Sequence, residues 1–191
     1  MTGFSRLDPG AGAAALKRAA VAITLVESCG DVAFVLTRRA SRLRAHGGQW
    51  ALPGGRCDDG EDSVRAALRE LDEEVGLRLA PHDVLGLLDD YPTRSGYLIT
   101  PVVVWAGADA RLQPNPEEVA SVHRIALGQI IDADAVSFVT IEQSPRRVVR
   151  IRIEGNQIHA PTAALLYQFR EVIEGRQTRV AELEQPVFAW R

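Results

Sequence analysis

At 191 residues and 46% hydrophobic content, the chain is long enough to bury a proper core and short enough to be one domain. A net charge of −3 and a pI near 5.8 argue against a nucleic-acid surface. No apolar run approaches the roughly 18 residues of a membrane span. Two cysteines, Cys29 and Cys57, make no disulfide framework, so a reducing cytoplasm is the expected compartment.

The chain opens MTGFSRLDPGAGAAALKRAA, where Asp8, Pro9, Lys17 and Arg18 leave no apolar signal core. Residues 1–18 are therefore expected to be an N-terminal extension, flexible over about the first ten. Strands are expected at Ala20 to Glu27 and Val32 to Arg38, around a turn at Ser28-Cys29-Gly30-Asp31. A short apolar run, Trp50 to Leu52, precedes Pro53-Gly54-Gly55. Asp62 and Ser63 can each cap a helix, and Val64, Leu68, Leu71 and Val75 then form one apolar stripe. Gly76 stands where a left-handed cap would end that helix.

Further strands are expected at Val84 to Leu88 and Tyr97 to Trp105, with Pro101 marking a bulge or an edge. Pro116 to Ile131 reads as partly helical. Val136 to Ile141 and Val148 to Ile153 read as strands joined around Gln143-Ser144-Pro145. Thr162 to Ile173 reads as a final helix with Ala163, Leu166 and Phe169 inward. The whole is one α/β domain over 19–175, a mixed sheet between helices, followed by a tail at 176–191.

Within the first helix, Glu70, Glu73 and Glu74 fall at i, i+3 and i+4, on a face roughly opposite the apolar stripe. Like charges so placed repel by a few tenths of a kcal/mol per pair. A solvated acidic face tolerates that, but it leaves Gly54-Gly55 and Glu61 without a reason. A hard divalent cation supplies one, since magnesium takes one or two carboxylates, keeps waters and binds phosphates. Arg69 can orient a carboxylate beside it.

Residues 55–77, GRCDDGEDSVRAALRELDEEVGL, fit the template G-x5-E-x7-R-E-U-x-E-E-x-G-U, with U apolar, at every fixed position. Those positions are Gly55, Glu61, Arg69, Glu70, Leu71, Glu73, Glu74, Gly76 and Leu77. Ordinary residue usage would produce such a match by chance roughly once in a million chains of this length. This is the Nudix box, and the chain resembles the Nudix hydrolases. The resemblance implies an α/β/α sandwich with a mixed β-sheet. It also implies Mg2+ or Mn2+ held by Glu70, Glu73, Glu74 and a backbone carbonyl of the Gly54 turn, with Arg69 orienting. A distant-loop glutamate often completes such sites, and Glu118 is the candidate.

A second resemblance concerns the substrate. Residues 35–55, VLTRRASRLRAHGGQWALPGG, are similar to the signature LLTxR[SA]xxxRxxxGxxxFPGG of the coenzyme A diphosphatase subfamily. Leu36, Thr37, Arg39, Ala40, Arg44, Gly48, Pro53, Gly54 and Gly55 fit, while Val35 and Leu52 replace a leucine and a phenylalanine. Asn115-Pro116-Glu117-Glu118-Val119 resembles the subfamily's NPxEV element, and Thr93-Arg94-Ser95-Gly96 and Ile99-Thr100-Pro101 its preceding strand. The box itself keeps the general Nudix spacing, one residue shorter between Gly-Gly and Arg-Glu than in many members of the subfamily.

The implied activity is cleavage of coenzyme A or acyl-CoA to 4′-phosphopantetheine species and adenosine 3′,5′-bisphosphate. The alternatives are another diphosphate (ADP-ribose, NADH or a nucleoside triphosphate) or a non-catalytic nucleotide-binding module. Arg39 and Arg44 are the expected substrate contacts. Arg146, Arg147, Arg150 and Arg152 form a second basic set that reads as a solvated strand face. His46 has a minor claim to catalysis, and His82, His123 and His159 read as structural or surface residues. The expected partner is a small-molecule nucleotide diphosphate, with neither nucleic acid nor membrane, and a homodimer is left open.

Overall fold

Alternating apolar runs and turn residues build the architecture strand by strand. The structure, a computed structural model, describes residues 4–7, 11–41, 47–108 and 110–190. In chain order the strands and helices are β1 (Lys17–Ser28), β2 (Asp31–Arg39), β3 (Trp50–Ala51), β4 (Gly54–Arg56) and α1 (Ser63–Val75). Then come β5 (Val84–Leu87), β6 (Tyr91–Pro92), β7 (Tyr97–Trp105), β8 (Val119–Ala126) and α2 (Gly128–Ile131). The chain ends with β9 (Val136–Ile141), β10 (Ser144–Ile153), β11 (Asn156–His159) and α3 (Thr162–Ile173). The α/β class expected from the sequence is the class observed.

The chain divides into two compact units. One comprises residues 18–86 and 101–127, the other 1–17, 87–100 and 128–191. In the first unit, β1 and β2 form a hairpin with Leu25 opposite Phe34 and Ser28 opposite Asp31. Its two-residue turn has positive φ at both Cys29 (54°) and Gly30 (80°). That twist matches right-handed strands, which is why the hairpin closes there. β4 pairs antiparallel with the start of β1, Val21 opposite Gly54. β3 and β8 both pair with β2, Thr37 standing opposite Ala51 and opposite Val122. Ala22, Ile23, Val26, Phe34, Leu36, Leu71 and Ile125 are fully buried and form the core of this unit.

The second unit holds an antiparallel sheet in the order β11-β10-β9. Arg150 stands opposite both Ser137 and His159. Phe138 meets Tyr167 of α3 edge to face, and Ala163, Leu166 and Phe169 of α3 are buried as expected. Asp89 accepts from Leu7 N (2.8 Å), Arg179 (2.9 Å) and Gln168 (2.8 Å), and Asp90 pairs with Arg6. The 180–186 segment is bound too: Glu184 takes Arg94 at 2.5 Å, and Gln185 accepts from Arg94 N at 2.7 Å.

Three expectations are corrected. Of Pro116 to Ile131 only Gly128–Ile131 is helical, and Val119–Ala126 is strand β8. The long partnership with β2, from Ala33 opposite Ala126 to Arg39 opposite Val119, overrides any local helical preference. β7 has neighbours on both sides, so the edge that Pro101 allowed is set aside. The last strand pair is a three-strand meander, because Gly155, at φ 76°, turns the chain back into β11.

Candidate functional site

Helix α1 begins where Asp62 accepts a hydrogen bond from Arg65 N at 2.9 Å. Of the two capping candidates, Asp62 is the one used. Ser63 accepts instead from Arg18 at 2.7 Å, a contact the sequence did not suggest. The helix ends at Gly76 in the left-handed conformation, φ 67°, with its N–H donating to Asp72 O at 2.9 Å. A β-carbon at Gly76 would lie 2.9 Å from Gln113. The 113–115 segment runs against this helix end, with Gln113 N donating to Val75 O and Asn115 N to Glu74 O.

That segment delivers Glu118. Asn115 Nδ2 donates to Glu118 Oε1 at 3.2 Å, and Asn115 Oδ1 accepts from Glu117 N at 3.0 Å. Ala40 N donates to Glu118 O at 2.8 Å. Burial chiefly pushes the carboxyls of both Glu70 and Glu74 above their ordinary value, and the Glu118 charge adds a lesser push. A glutamate 44 positions after Glu74 in sequence thus acts on the same cluster. Its route there is the Asn115-Pro116 turn, in which the Asn115 side chain accepts from Glu117 N.

Arg69 is the hub of the box. Its Nε and Nη2 grip Glu61 with two bonds of 3.0 Å, and Nη1 donates to Glu70 (2.8 Å) and Glu73 (3.1 Å). Nη2 also reaches Arg56 O at 3.0 Å. These bonds, that to Glu61 first, hold the guanidinium charged well beyond its ordinary value. Glu61 in turn accepts from Asp58 N at 2.9 Å and so fastens the loop before the helix.

Glu74 is treated differently. It is 2% exposed, so the face that the three box glutamates share is not merely a solvated acidic one. Only Glu73, 54% exposed at its side chain, stands in water. Strand β4 lies against the other two, Gly54 N bonding Glu74 and Gly55 facing Glu70. Glu74 Oε2 accepts from Gly54 N at 3.3 Å, and Oε1 faces Arg39 Nη1 at 3.4 Å. Burial dominates, and pushes its carboxyl up to about 7.

Glycine is required on the strand facing these carboxylates. A β-carbon on Gly55 would lie 2.6 Å from Glu70 Oε2 and closer still to Oε1. The bare backbone of β4 is the cradle in which that carboxylate lies. Glu61, Glu70 and Glu73 meet Arg69 and Glu74 meets Arg39, so the carboxyl groups outnumber the guanidinium groups. Hard oxygen donors with unbalanced charge suit a divalent cation. Among the described residues no three His, Cys, Asp or Glu side chains are already placed to hold a metal ion. The two arginines hold the carboxylates instead.

These expected residues lie in one unit: Gly54, Arg39, Arg69, Glu70, Glu73, Glu74 and Glu118. Arg44, with Arg42 and His46, lies outside the described residues. Leu52, in place of an aromatic, is buried, while Trp50 stacks edge to face on His123 at 4.5 Å. The arginines of β10 belong to the other unit: Arg147 covers Phe138, and Arg152 reaches Asp134 O at 3.4 Å.

The NUDIX domain family matches residues 16–146, most of the chain and all of the cluster above. The chain belongs to the Nudix hydrolases. Curated relatives include the uncharacterized Nudix hydrolase NudL of Pectobacterium atrosepticum, 35% identical over 145 residues, 74% of this chain and 76% of that one. The NudL of Photorhabdus laumondii is 32% identical over 143 residues, 73% of this chain and 76% of that one. Solved structures share the Nudix fold. The Nudix hydrolase RenU of M. smegmatis covers 85% of this chain and 89% of its own at TM-score 0.56 and 23% identity. A C. elegans Ap4A hydrolase covers 84% of this chain and 99% of its own at TM-score 0.53 and 19% identity. As a Nudix hydrolase the chain is an enzyme of the pyrophosphatase class, a family that uses divalent metal ions and nucleotide substrates. No helix among the described residues is long and apolar enough to cross a membrane.

Proposed function

We propose that this Nudix hydrolase cleaves the diphosphate of coenzyme A or an acyl-CoA, releasing a 4′-phosphopantetheine species and adenosine 3′,5′-bisphosphate. One observation carries the reading. Residues of the upstream signature and of the NPEEV element reach the box and Glu118. Arg39 faces Glu74, Ala40 N holds Glu118, Gly54 N bonds Glu74, and Asn115 ties Glu118 to the end of α1. Thr37 braces the strand that leads into the glycines, donating to Ala51 O at 3.0 Å.

Glu70, Glu73 and Glu74, with the carbonyl of Gly54, are the proposed ligands of Mg2+ or Mn2+. When bound, the cation lowers the pKa of a water and offsets charge on the diphosphate. Arg69 fixes Glu70 and Glu73 and fastens the loop through Glu61. Glu118 stands beside the pair as the further carboxylate of the site. Arg39 and Arg44 are the proposed contacts to the substrate phosphates, for which planar forked donors are well suited. Catalysis is assigned to residues 19–175, and two free cysteines accord with a reducing cytoplasm.

The test is mass spectrometry of products after incubation with coenzyme A, ADP-ribose and NADH, with magnesium and manganese in separate reactions. Phosphopantetheine formed fastest, and only by protein that keeps Glu74, supports the proposal. Faster cleavage of ADP-ribose keeps the hydrolase and removes the coenzyme A assignment. No turnover of any diphosphate, with equal ligand binding by Glu74→Gln, makes the chain a binding module.

A further inference from the structure

The two arginines of the site are held in opposite ways. Arg69 has Nε and both terminal nitrogens engaged, by three glutamates and a carbonyl, at 2.8 to 3.1 Å. Among the described residues the Arg39 side chain meets Glu74 Oε1, through Nη1 at 3.4 Å. That distance is at the loose end for a charge-assisted bond, whose usual range is about 2.7–2.9 Å. Arg39 is nevertheless well anchored through its backbone, whose N–H donates to Gln49 O at 2.9 Å and whose carbonyl accepts from Gly48 N at 3.0 Å. The side chain is thus a loosely bound cation on a fixed strand, 28% exposed, against a carboxylate 3% exposed.

A buried carboxylate needs a counter-charge, and Glu74 has one that can leave. We propose that Arg39 is an exchangeable counter-ion. It pairs with the ionised Glu74 in the metal-free protein, gives up that carboxylate when a divalent cation takes it, and turns its fork, Nη1 now free, to the diphosphate of the substrate. This deepens the reading above and rests on Glu74 being a metal ligand. The consequence is a coupling between metal and substrate that runs through one side chain. A guanidinium still paired with Glu74 grips phosphate poorly, and one released from it grips well. Thermodynamic linkage then makes each ligand strengthen the other. Arg69 has no such freedom, since moving it unpairs Glu61, Glu70 and Glu73 together.

The experiment uses the full chain at about pH 8.5, where the carboxylates are ionised and metal affinity is not limited by protons. Free Mn2+ is followed by electron paramagnetic resonance, and binding of α,β-methylene-ADP, a diphosphate that cannot be hydrolysed at its bridge, by calorimetry with and without Mn2+. Arg39→Met is expected to bind Mn2+ about threefold more tightly or better, since an ion pair of this exposure opposes the metal by that order. Its Mn2+-dependent gain in affinity for the analogue should shrink by about tenfold, the loss of one forked phosphate contact. Arg39→Lys should keep near-wild-type Mn2+ affinity, because the charge remains, and still lose analogue affinity.

Mn2+ binding to Arg39→Met that is unchanged or weaker, or an unchanged metal–analogue coupling, overturns the proposal. Glu74→Gln separates this from the parent reading. If Glu74→Gln binds Mn2+ as wild type does, the metal assignment itself falls. If it weakens Mn2+ while Arg39→Met does not tighten it, only the exchange falls. Should Arg39→Met unfold, Arg39→Lys alone decides, since an analogue affinity equal to wild type rules out the freed fork.

Discussion

Gly55 leaves the Glu70 carboxylate the space that a side chain would fill, since a β-carbon there would stand 2.6 Å from Oε2. Gly55→Ala must therefore move the carboxylate, which is the flexible end of a side chain, and not the backbone. We expect a small stability change, about 1 kcal/mol or less, with a fall in kcat of about tenfold or more from a misplaced metal ligand. Gly54→Ala is the contrast. Its β-carbon would lie 2.6 Å from Val21 Cα and nearer still to Ala20 O, which are backbone atoms of β1. That change should cost about 2 kcal/mol or more and lower the yield of folded protein. Urea midpoints and kcat for both variants decide it, and equal stability losses would undo the distinction.

Arg69 offers a second, separable outcome. Its removal leaves Glu61 and Glu70, with side chains 13% and 14% exposed, without their cation. Arg69→Ala should lose about 2 kcal/mol of stability in chelator-treated protein, a figure reduced from that of a fully buried pair because the guanidinium is 29% exposed. Arg69→Lys should recover little, because a point charge cannot serve Glu61 with two parallel bonds while reaching Glu70. Recovery of most of the stability by lysine would mean that charge alone matters here.

The box could be read from the sequence because its physics is local. The i, i+3, i+4 carboxylates, the cap at Asp62 and the left-handed Gly76 all lie within one helix and its ends. The burial of Glu74 could not be read that way, since it comes from β4 and Arg39, which are distant in the chain. Strand β8 was missed for the same reason. Val119–Ala126 carries no clean alternation, its burial running from Val119 inward to Ile125 with half-exposed residues between, and its pairing with β2 decides its form. Glu118 is a candidate in the sequence only through the family resemblance, and its tie to Ala40 N depends on β2 and β8 meeting.

Acidity supplies a third prediction. The Glu74 carboxyl, at about 7, lies above its ordinary value of 4.5, chiefly through burial. The folded protein thus holds a proton that the unfolded chain has lost. Glu74 therefore favours folding below pH 4.5 and loses that contribution as the pH rises through about 7. In chelator, wild type should lose stability relative to Glu74→Gln across that window. Since a metal needs the ionised carboxylate, Mn2+ affinity should rise over the same window with release of a proton. Calorimetry in two buffers of different ionisation enthalpy measures that proton, and a Mn2+ affinity flat from pH 5 to about 7.5 would contradict the assignment.

Glu184 titrates in the opposite sense. Arg94 grips it with bonds of 3.1 and 2.5 Å, and the carboxyl is held down at about 2 while its side chain is only 3% exposed. Here the unfolded chain binds the proton more readily. The contribution is complete above pH 4.5 and disappears as the pH falls towards 2. Because Arg94 is 49% exposed, we discount the full linkage value to about 2 kcal/mol at neutral pH. Glu184→Gln should therefore be less stable than wild type at pH 7, with the difference closing on acidification. Its effect should appear in the unit that contains 128–191, where the Glu184 N–H also donates to Arg147 O at 2.8 Å and Tyr91 holds Leu183 O at 3.0 Å. Hydrogen exchange at 144–153 and 180–186 reads this directly. Loss of protection there at pH 7, with the 63–75 helix unaffected, is the expected pattern, whereas uniform loss would mean that the ion pair supports the chain as a whole.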